Sequence, residues 1–344
     1  MTKADPLSGL LAGLTVIDLS RNLPGPFCTR MLADLGARII KVEPPEGDPT
    51  RPLAPLFAAL NHGKDCRRID FRQPAEIEQL RSWLIEADVM LDSFRPGILA
   101  SLGLDFDTLK ARNPNLVMVS ITGYGQHGPW AGRGGHDLNF LALSGALDQM
   151  RAPTGELALS NVQWGDLAGG SSMACIAILA ALFAARRDGA GRHIDISMAH
   201  GAHAHLTLPI ATASLFLPLL GRAPGAGEDL LNGGLPCYNV YATADGRHLA
   251  VGALEHKFWQ AACVVFERPD WSERHWQRGL QPGSPENADF RDAVAALVAT
   301  RTLADWSARF EAADACVTPV LTLAEAKSHP LFADGARLQP WAAV

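Results

Sequence analysis

The sequence predicts an α/β protein, with a large domain built on a mainly parallel sheet and a second, smaller α+β domain. Its 344 residues are enough for two domains of the usual ~100–200 residues. Strand-like apolar runs alternate with helical segments of about 10–15 residues in the first third of the chain, which is typical of βαβ units. After about residue 220 the pattern changes to loops, a hairpin and tryptophan-containing helices, which indicates the second domain.

Four short apolar runs predict the first strands of the large domain. A helix at 27–35, which ends at Gly36, and an amphipathic helix at 75–87 separate them. Gly36 suits a helix end because glycine adopts the left-handed conformation at little cost. The predicted strands are 14–19, 38–42, 88–92 and 116–121.

The rest of the chain supplies a long helix, another strand and a hairpin. Small residues open a predicted helix at 168–187, and HIDIS at 193–197 predicts a strand. The segment 238–251 reads as a hairpin turned at Asp245-Gly246. We expect TPVLTL at 318–323 to return to the sheet of the first domain.

Composition excludes several classes of protein. Lys and Arg (30) against Asp and Glu (36) leave a net charge of −6 without a long basic run, which disfavours a nucleic-acid binder. No secretory leader is recognisable, and the six cysteines show no paired spacing, so we expect reduced thiols in a cytoplasmic protein. The apolar stretches 173–185 and 206–220 are shorter than the roughly 20 residues of a membrane span. We therefore expect core helices and no membrane association.

Common catalytic signatures are missing from the sequence. It contains no G-x-G-x-x-G fingerprint, no G-x-S-x-G elbow, no Walker A loop and no H-E-x-x-H. It also lacks a C-x-x-C pair, so we expect no metal site.

Three polar residues stand in contexts that could serve chemistry. His136 follows the flexible pair Gly134-Gly135, Asp166 stands at a predicted helix start, and Glu255 lies just past the second strand of the hairpin. The backbone N–H groups of such a helix start favour a bound anion. The plainer alternatives are that Asp166 is only an N-cap and that His136 only satisfies a hydrogen bond in the core.

Basic residues near predicted strand ends are candidates for binding phosphate. In an open α/β sheet, ligands bind outside the carboxyl ends of the strands. Phe94-Arg95 directly follows the third predicted strand, which suits a phosphate contact beside an aromatic ring. The alternative for each residue is a solvated surface charge. The five basic residues are Arg38, Lys41, Lys64, Arg72 and Arg95.

Long segments of the chain resemble the superfamily of family III CoA-transferases and α-methylacyl-CoA racemases. They include LAGLTVIDLSRNLPGPFCTRMLADLGARIIKVEPPEGDPTR near the start, SFRPG at 93–97, LGLDFDTLKARNPNLVMVSITGYG, and DGAGRHIDISM at 188–198. The resemblance implies a Rossmann-like, CoA-binding large domain made of 1–217 and 317–344, with a small domain at 218–316. It also implies an interlocked homodimer that binds an acyl-CoA near the cleft between the domains.

The resemblance further implies roles for individual residues. Asp166 in GDLAGG matches an aspartate common to racemases and transferases, His136 resembles the racemase histidine, and Glu255 matches a glutamate that hydrogen-bonds that histidine. No prosthetic group is implied, because CoA enters as part of the substrate. The residues expected to contact CoA are Arg38, Lys41, Asp70, Phe71, Arg72, Ser93, Phe94, Arg95, Tyr124 and Gly125.

Two reactions remain open at this point. A racemase needs one group to remove the proton beside the thioester carbonyl and another to return a proton to the opposite face, and His136 with Asp166 suits this. The pKa of Asp166 would have to be raised by burial, for which Phe140, Trp164 and Leu167 are apolar neighbours. Backbone N–H groups at 166–170 would hold the enolate oxygen.

A CoA-transferase, the alternative, needs an ionised Asp166 that attacks the thioester and moves CoA between carboxylic acids. Val162 stands at the position where the racemase motif has an asparagine, and Asn161 is the residue before it. A third possibility is a CoA-binding protein without catalysis, which requires Asp166 to point away from the cleft.

Overall fold

The computed structural model describes residues 7, 9–152, 154–225 and 227–333, apart from the side chains of 219 and 220. These residues form two compact units. Unit 1 contains 9–148, 159–206 and 330–333, and unit 2 contains 149–158 and 207–329. The chain thus passes between the units four times, at 148/149, 158/159, 206/207 and 329/330.

This division differs from the predicted domain boundaries. The predicted junction at 217/218 falls inside a helix, Thr207–Leu220, that belongs entirely to unit 2. The chain returns to unit 1 at 330 and not at 317, because the strand Val317–Pro319 pairs with the hairpin of unit 2. Residues 1–6 and 334–344 of the predicted large domain lie outside the described residues.

Unit 1 contains a six-stranded sheet in the order β3-β2-β1-β4-β5-β6, and every neighbouring pair is parallel. This is the doubly wound strand order of Rossmann folds, so the predicted fold class is confirmed. The strands are β1 Thr15–Asp18, β2 Arg38–Glu43, β3 Asp65–Arg68, β4 Val89–Asp92, β5 Val117–Thr122 and β6 His193–Ser197.

The sheet is covered by helices on both faces. Val16 and Val89 pack with Leu32 and Ile178 of α1 and α7 on one face, while Ile17 packs with α3 and α5 residues on the other. Strands covered on both sides are continuous apolar runs, which is why they could be predicted. The helices are α1 Pro24–Asp34, α2 Ala54–Asn61, α3 Pro74–Glu86, α4 Ile98–Ser101, α5 Phe106–Lys110, α6 Asp137–Ser144, α7 Met173–Asp188 and α8 Met198–Ala204.

Strand β3 was not predicted. Its sequence, DCRR, contains no apolar run, and its side chains alternate between half-buried and exposed positions. It lies at the edge of the sheet and pairs only with β2. An edge strand needs less apolar surface than a central one, so periodicity gives little sign of it.

Unit 2 is built on a three-stranded antiparallel sheet in the order β7-β8-β9. The predicted hairpin is confirmed, and its turn contains Gly246 at φ 70°. Buried aromatic residues, among them Trp259, Trp271, Phe290 and Trp306, form its core. The elements are α9 Thr207–Leu220, β7 Tyr238–Ala242, β8 His248–Gly252, α10 His256–Val265, α11 Pro285–Val298, α12 Leu303–Phe310, β9 Val317–Pro319 and α13 Leu323–Ser328. A final short helix, α14 Pro330–Ala333, belongs to unit 1.

One helical stretch of the described chain is long and apolar enough to cross a membrane by length and composition. It runs over the 24 residues Gly165–Asp188, and an 18-residue window within it has a mean hydropathy of 2.0. It is longer than the apolar run predicted from sequence because a π-helix, Gly165–Ser172, continues directly into α7. The core helix of a globular unit passes the same test, and 39% of this apolar window is buried in the structure.

Candidate active site

Several predicted site residues meet at the carboxyl edge of the parallel sheet. A cavity of about 370 Å³ opens there among the loops that follow β1, β4 and β5. His136 and Asp166 both line it. Open α/β sheets bind their ligands at this edge, so the cavity is the candidate active site. Further residues that line it include Arg21, Ser93, Phe94, Arg95, Arg133 and Phe140.

Asp166 lies inside the π-helix and is half-buried. The pKa of its carboxyl group is raised to about 6, mainly by burial and also by the nearby Asp137 carboxylate, while His136 acts in the opposite direction. Of the apolar neighbours expected to bury Asp166, Phe140 is buried and Leu167 half-buried, whereas Trp164 is largely exposed. The carboxyl group is therefore tuned to exchange a proton near neutral pH.

Two expectations about Asp166 are wrong. It is not an N-cap, because helical geometry begins before it, at Trp164. Its backbone N–H donates to the Asp137 Oδ1 at 2.9 Å, so this group is not available to an enolate oxygen.

The π-helix is held in place by close backbone contacts. A β-carbon on Gly169 would lie 2.7 Å from the carbonyl oxygen of Met198, and one on Gly201 would lie 2.1 Å from the carbonyl oxygen of Gly169. Only glycine lets α8 approach the π-helix this closely. The Ser171 hydroxyl also donates to the carbonyl oxygen of Pro24 at 2.7 Å. Single π-helical turns are frequent at functional sites.

His136 directly precedes α6 in an extended backbone conformation. Its backbone N–H donates to the Asn139 Oδ1 at 3.0 Å, and its carbonyl oxygen accepts the N–H of Asn139 at 2.8 Å. Its side chain is exposed at the cavity rather than buried in the core. The alternative of a histidine that only satisfies a core hydrogen bond is therefore not supported.

Three guanidinium groups, of Arg21, Arg95 and Arg133, line the same cavity. Arg21 lies over the ring of Phe94 at 5.6 Å, and Arg133 lies over the ring of Trp130 at 4.0 Å. Three cations lining one cavity suit an anionic ligand with several phosphates. Sequence reasoning identified Arg95 but missed Arg21 and Arg133. The position of Arg21, just past the end of β1, was the signal that could have found it.

The segment Ser93-Phe94-Arg95 lies where a CoA contact was predicted. The Ser93 hydroxyl oxygen accepts the backbone N–H of Arg21 at 3.1 Å, which ties the loops after β1 and β4 together. Phe94 packs edge-on against Phe71, with ring centroids 5.7 Å apart. The aromatic pair and Arg95 thus stand beside the cavity that His136 and Asp166 line.

The remaining predicted CoA contacts divide between this edge and other places. Arg72 is exposed and bound to Asp70 at 2.8 Å, in the loop after β3; this ion pair lowers the pKa of Asp70. Tyr124 packs edge-on against Phe140 at 5.3 Å and lines a neighbouring cavity of about 590 Å³. Gly125 adopts φ 90°, and its N–H donates to the Thr122 Oγ1 at 2.9 Å.

Lys41 does not reach the cavity. Its ammonium group is fully buried, 2.9 Å from the Asp48 Oδ2, and donates to the carbonyl oxygen of Ser20 at 3.0 Å. Lys64 is likewise buried, 3.4 Å from the Asp18 Oδ2. A buried and paired lysine cannot contact a phosphate without losing its partner. The phosphate-binding role expected for Lys41 is therefore not supported.

Arg38 stands at the wrong edge of the sheet for the predicted contact. It is the first residue of β2, so it lies at the amino edge, opposite the cavity. Its guanidinium group is 3.7 Å from the Asp65 carboxylate. The prediction failed because hydropathy locates the ends of a strand but does not show which end lies at the edge of the sheet that carries the site.

Glu255 belongs to unit 2. It directly precedes α10, and its carbonyl oxygen accepts the N–H groups of Phe258 at 3.0 Å and Trp259 at 3.1 Å. Its side chain is exposed. The pairing of Glu255 with His136 stays a prediction.

The described part of the chain contains no cluster of three or more histidine, cysteine or acidic side chains that could hold a metal ion. The six cysteines are free thiols, and four of them are buried.

Comparison of the sequence and the fold with known proteins identifies the family of this chain. The family model described as CoA-transferase family III matches residues 11–342. Human α-methylacyl-CoA racemase is 36% identical over 322 residues, covering 93% of this chain and 80% of the human protein. Acetyl-CoA:oxalate CoA-transferase of Acetobacter aceti is 32% identical over 348 residues, covering 96% and 86% of the two chains. The crystal structure of Rv3272 from Mycobacterium tuberculosis matches with a TM-score of 0.77 at 28% identity, covering 96% of this chain and 87% of that one.

The match extends over both units, and these relatives include racemases and CoA-transferases, both of which are enzymes that use CoA. The chain is an enzyme of CoA-transferase family III.

Proposed function

We propose that this enzyme is an acyl-CoA racemase or epimerase of the α-methylacyl-CoA racemase type. The observation that carries the proposal is that His136 and Asp166 line one cavity, with the pKa of Asp166 raised to about 6. A carboxyl group with a pKa in this range can both take and give a proton near neutral pH, which racemisation requires because the two groups end each turnover with their protons interchanged.

The reaction follows from these two groups. One of them removes the α-proton, and the electron pair of the broken C–H bond moves into the thioester as an enolate. The other then delivers its proton to the opposite face of the α-carbon. The guanidinium groups of Arg21, Arg95 and Arg133 supply positive charge for the CoA phosphates and favour the enolate.

A CoA-transferase remains the second candidate, and relatives with that activity support it. In that reaction an ionised Asp166 attacks the thioester carbon and releases CoA as a thiolate. An aspartate with a pKa of about 6 is mostly ionised at pH 7.5, so its charge state allows this step. His136 favours the racemase, because an imidazole has no necessary part in acyl transfer to an aspartate.

We further propose that the enzyme works as a homodimer on an acyl-CoA substrate. The racemase and transferase relatives support the CoA substrate. Apolar side chains left exposed on single helices support a second copy as the partner.

Deuterium exchange separates the two reactions. We expect the enzyme, incubated with an (R)-2-methylacyl-CoA in D₂O without an acceptor acid, to place deuterium on the α-carbon. His136→Ala should slow this exchange about 10²-fold or more, since it removes one of the two proton-transfer groups. Mass spectrometry of the recovered acyl-CoA measures both.

His127→Ala is the matched control, because His127 is another exposed histidine that lines the neighbouring cavity. It should exchange at the wild-type rate. Exchange that persists unchanged in His136→Ala contradicts the role of His136. Transfer of CoA to an added acid, with a trapped adduct on Asp166, would establish the transferase instead.

A further inference from the structure

A hydrogen-bonded chain of three side chains lies behind the Ser93-Phe94-Arg95 segment, outside the catalytic pair. The Asp92 Oδ2 accepts the Ser120 hydroxyl at 2.6 Å, and the Ser120 Oγ is 3.0 Å from the His193 Nε2. These three hydrogen-bonded side chains lie on three neighbouring strands, at the end of β4, within β5 and at the first residue of β6.

The inner end of this chain holds the active-site loop. The other carboxylate oxygen of Asp92, Oδ1, accepts the backbone N–H of Phe94 at 3.0 Å. Phe94 and Arg95 line both the active-site cavity and a second cavity of about 240 Å³, which Asp92, Ser120 and His193 also line. Asp92 is thus the anchor from which the loop projects towards the ligand.

We propose that Asp92, Ser120 and His193 form a positioning relay that fixes the 93–96 loop for CoA, and that the charge on Asp92 sets how tightly CoA is held. This inference rests on the proposed use of an acyl-CoA substrate. None of the three residues takes part in proton transfer to the substrate, so they are positioning residues.

The surroundings of Asp92 make its charge responsive to pH. The residue is almost fully buried, and this burial raises the pKa of its carboxyl group to about 6, against the hydrogen bonds from Ser120 and Phe94, which lower it. The carboxylate of Asp195 on β6 raises it as well. The other charged or titratable groups lining the same cavity are Arg95, Asp105, Asp107 and His193.

The outer end of the relay meets solvent. His193 stacks on Phe106 with ring centroids 5.9 Å apart, and desolvation lowers the pKa of its imidazole. Asp195 and Asp107 oppose this lowering, and His127 adds to it. The single hydroxyl proton of Ser120 is donated to Asp92, so the compatible state of His193 is the one in which its Nε2–H donates to the Ser120 Oγ.

The direction of the pH effect follows from the hydrogen bonds. An ionised Asp92 accepts charge-assisted bonds from both Phe94 and Ser120, and these are stronger than the bonds of the neutral acid. Protonation below about pH 6 weakens the hold on the loop. CoA affinity should therefore decrease as the pH falls through this range.

Calorimetric titration of the full-length protein with free CoA between pH 5.5 and 8 tests the relay without requiring turnover. Asp92→Asn keeps the shape and one acceptor oxygen for the Phe94 N–H, but it loses the charge and the second acceptor that takes the Ser120 hydroxyl. We therefore expect about three- to tenfold weaker binding at pH 7.5. Ser120→Ala removes a bond that lowers the pKa of Asp92. Its loss of affinity should consequently begin at a higher pH than in the wild type.

Asp105→Asn is the matched control. Asp105 lines the same cavity and is the N-cap of α5, a role that asparagine also fills. We expect its binding curve to follow the wild type, and the titration of the CoA phosphates themselves is common to all four proteins. If Ser120→Ala does not fold, the isosteric Asp92→Asn still tests the relay.

Wild-type affinity at every pH in both Asp92→Asn and Ser120→Ala would overturn the relay, as would an equal loss in Asp105→Asn. If the variants lose thermal stability but keep their CoA affinity, the three hydrogen-bonded residues serve folding alone, and this result would also overturn the relay. A wild-type protein that binds no CoA at any pH would instead reject the proposed function.

Discussion

At the scale of single residues, Asp166 shows how a residue of the candidate active site can lower the free energy of unfolding. Its carboxyl group is half-buried, and its pKa in the folded protein is about 6, above the ordinary value of 3.8. The folded protein therefore binds a proton more tightly than the unfolded chain between these two values. Its stability falls as the pH rises through this range, and the penalty is complete above about pH 6.

Replacing this aspartate should stabilise the protein while inactivating it. We expect Asp166→Asn to raise the free energy of unfolding at pH 8 by about 1–2 kcal/mol, less than the full pKa shift implies because the group is partly solvated. The difference should vanish below about pH 4, where the carboxyl group is protonated in both states. Urea unfolding at pH 4, 6 and 8 measures it, and an asparagine variant less stable than the wild type at pH 8 contradicts it.

The residues of the site differ in how far sequence could identify them. The flanking glycines singled out His136 and Asp166 as candidates, but only the resemblance to the family implied their roles. Lys41 was misassigned because hydropathy does not reveal its buried partner, Asp48, seven positions away. Arg21 and Arg133 were missed because a single arginine in a loop follows no period, and only the folded loops bring both to one cavity.

At the scale of elements, the contact between the π-helix and α8 decides where Asp166 stands. Gly169 and Gly201 face each other across it so closely that neither position has room for a β-carbon. Asp166 lies three positions before Gly169, less than one turn away. A shift of the π-helix away from α8 would therefore move its carboxyl group relative to His136.

A methyl group at this contact should be costly. We expect Gly201→Ala to destabilise the protein by about 1–3 kcal/mol or more, because the added carbon meets the carbonyl oxygen of Gly169 at 2.1 Å. It should also lower the rate of α-proton exchange. Thermal unfolding and the deuterium assay measure the two effects.

Gly132→Ala is the matched control, since a β-carbon there meets no atom within 4 Å. Its melting temperature should stay close to that of the wild type. Equal melting temperatures for Gly201→Ala and Gly132→Ala would show that the contact relaxes without cost.

Sequence predicts elements best where burial imposes a period. Strands β1, β2, β4 and β5 appear within one residue of their predicted bounds at either end, because apolar side chains cover both faces of these strands. The edge strand β6 matches its predicted bounds as well, and Ile194 and Ile196 supply the alternating pattern that predicts it. The π-helix could not be predicted, since its widened turn depends on α8 packing against it and not on a local pattern. The strand Val317–Pro319 was assigned to the wrong sheet because three residues do not specify their partner.

At the scale of the whole molecule, exposed apolar surface indicates a partner. On α7, Ile176 and Phe183 are 61% and 71% exposed. They are seven positions apart and share one helix face. Further exposed apolar residues on α9 are Leu208, Ile210, Leu215 and Leu217. Apolar side chains exposed together on one helix face usually mark an interface, and we propose a second copy of the chain as the partner that covers the α7 face.

A charge on this face should separate the subunits. We expect the wild type to be a dimer by analytical ultracentrifugation and Phe183→Asp to be a monomer, because the carboxylate would have to be buried without a partner. Val264→Asp, a charge placed on an equally exposed residue of α10 in unit 2, provides the comparison. A wild-type monomer, or a Phe183→Asp dimer, contradicts the assignment of this face.

The four crossings of the chain between the units limit how the enzyme can be engineered. Neither unit can be released by a single cut, and a graft of unit 2 from a relative needs four junctions, at 148/149, 158/159, 206/207 and 329/330. A chimera that exchanges only the stretch 207–329 still carries segment 149–158 of unit 2 from the original parent. Chimeras within this family should therefore fold more often when segments 149–158 and 207–329 come from the same parent.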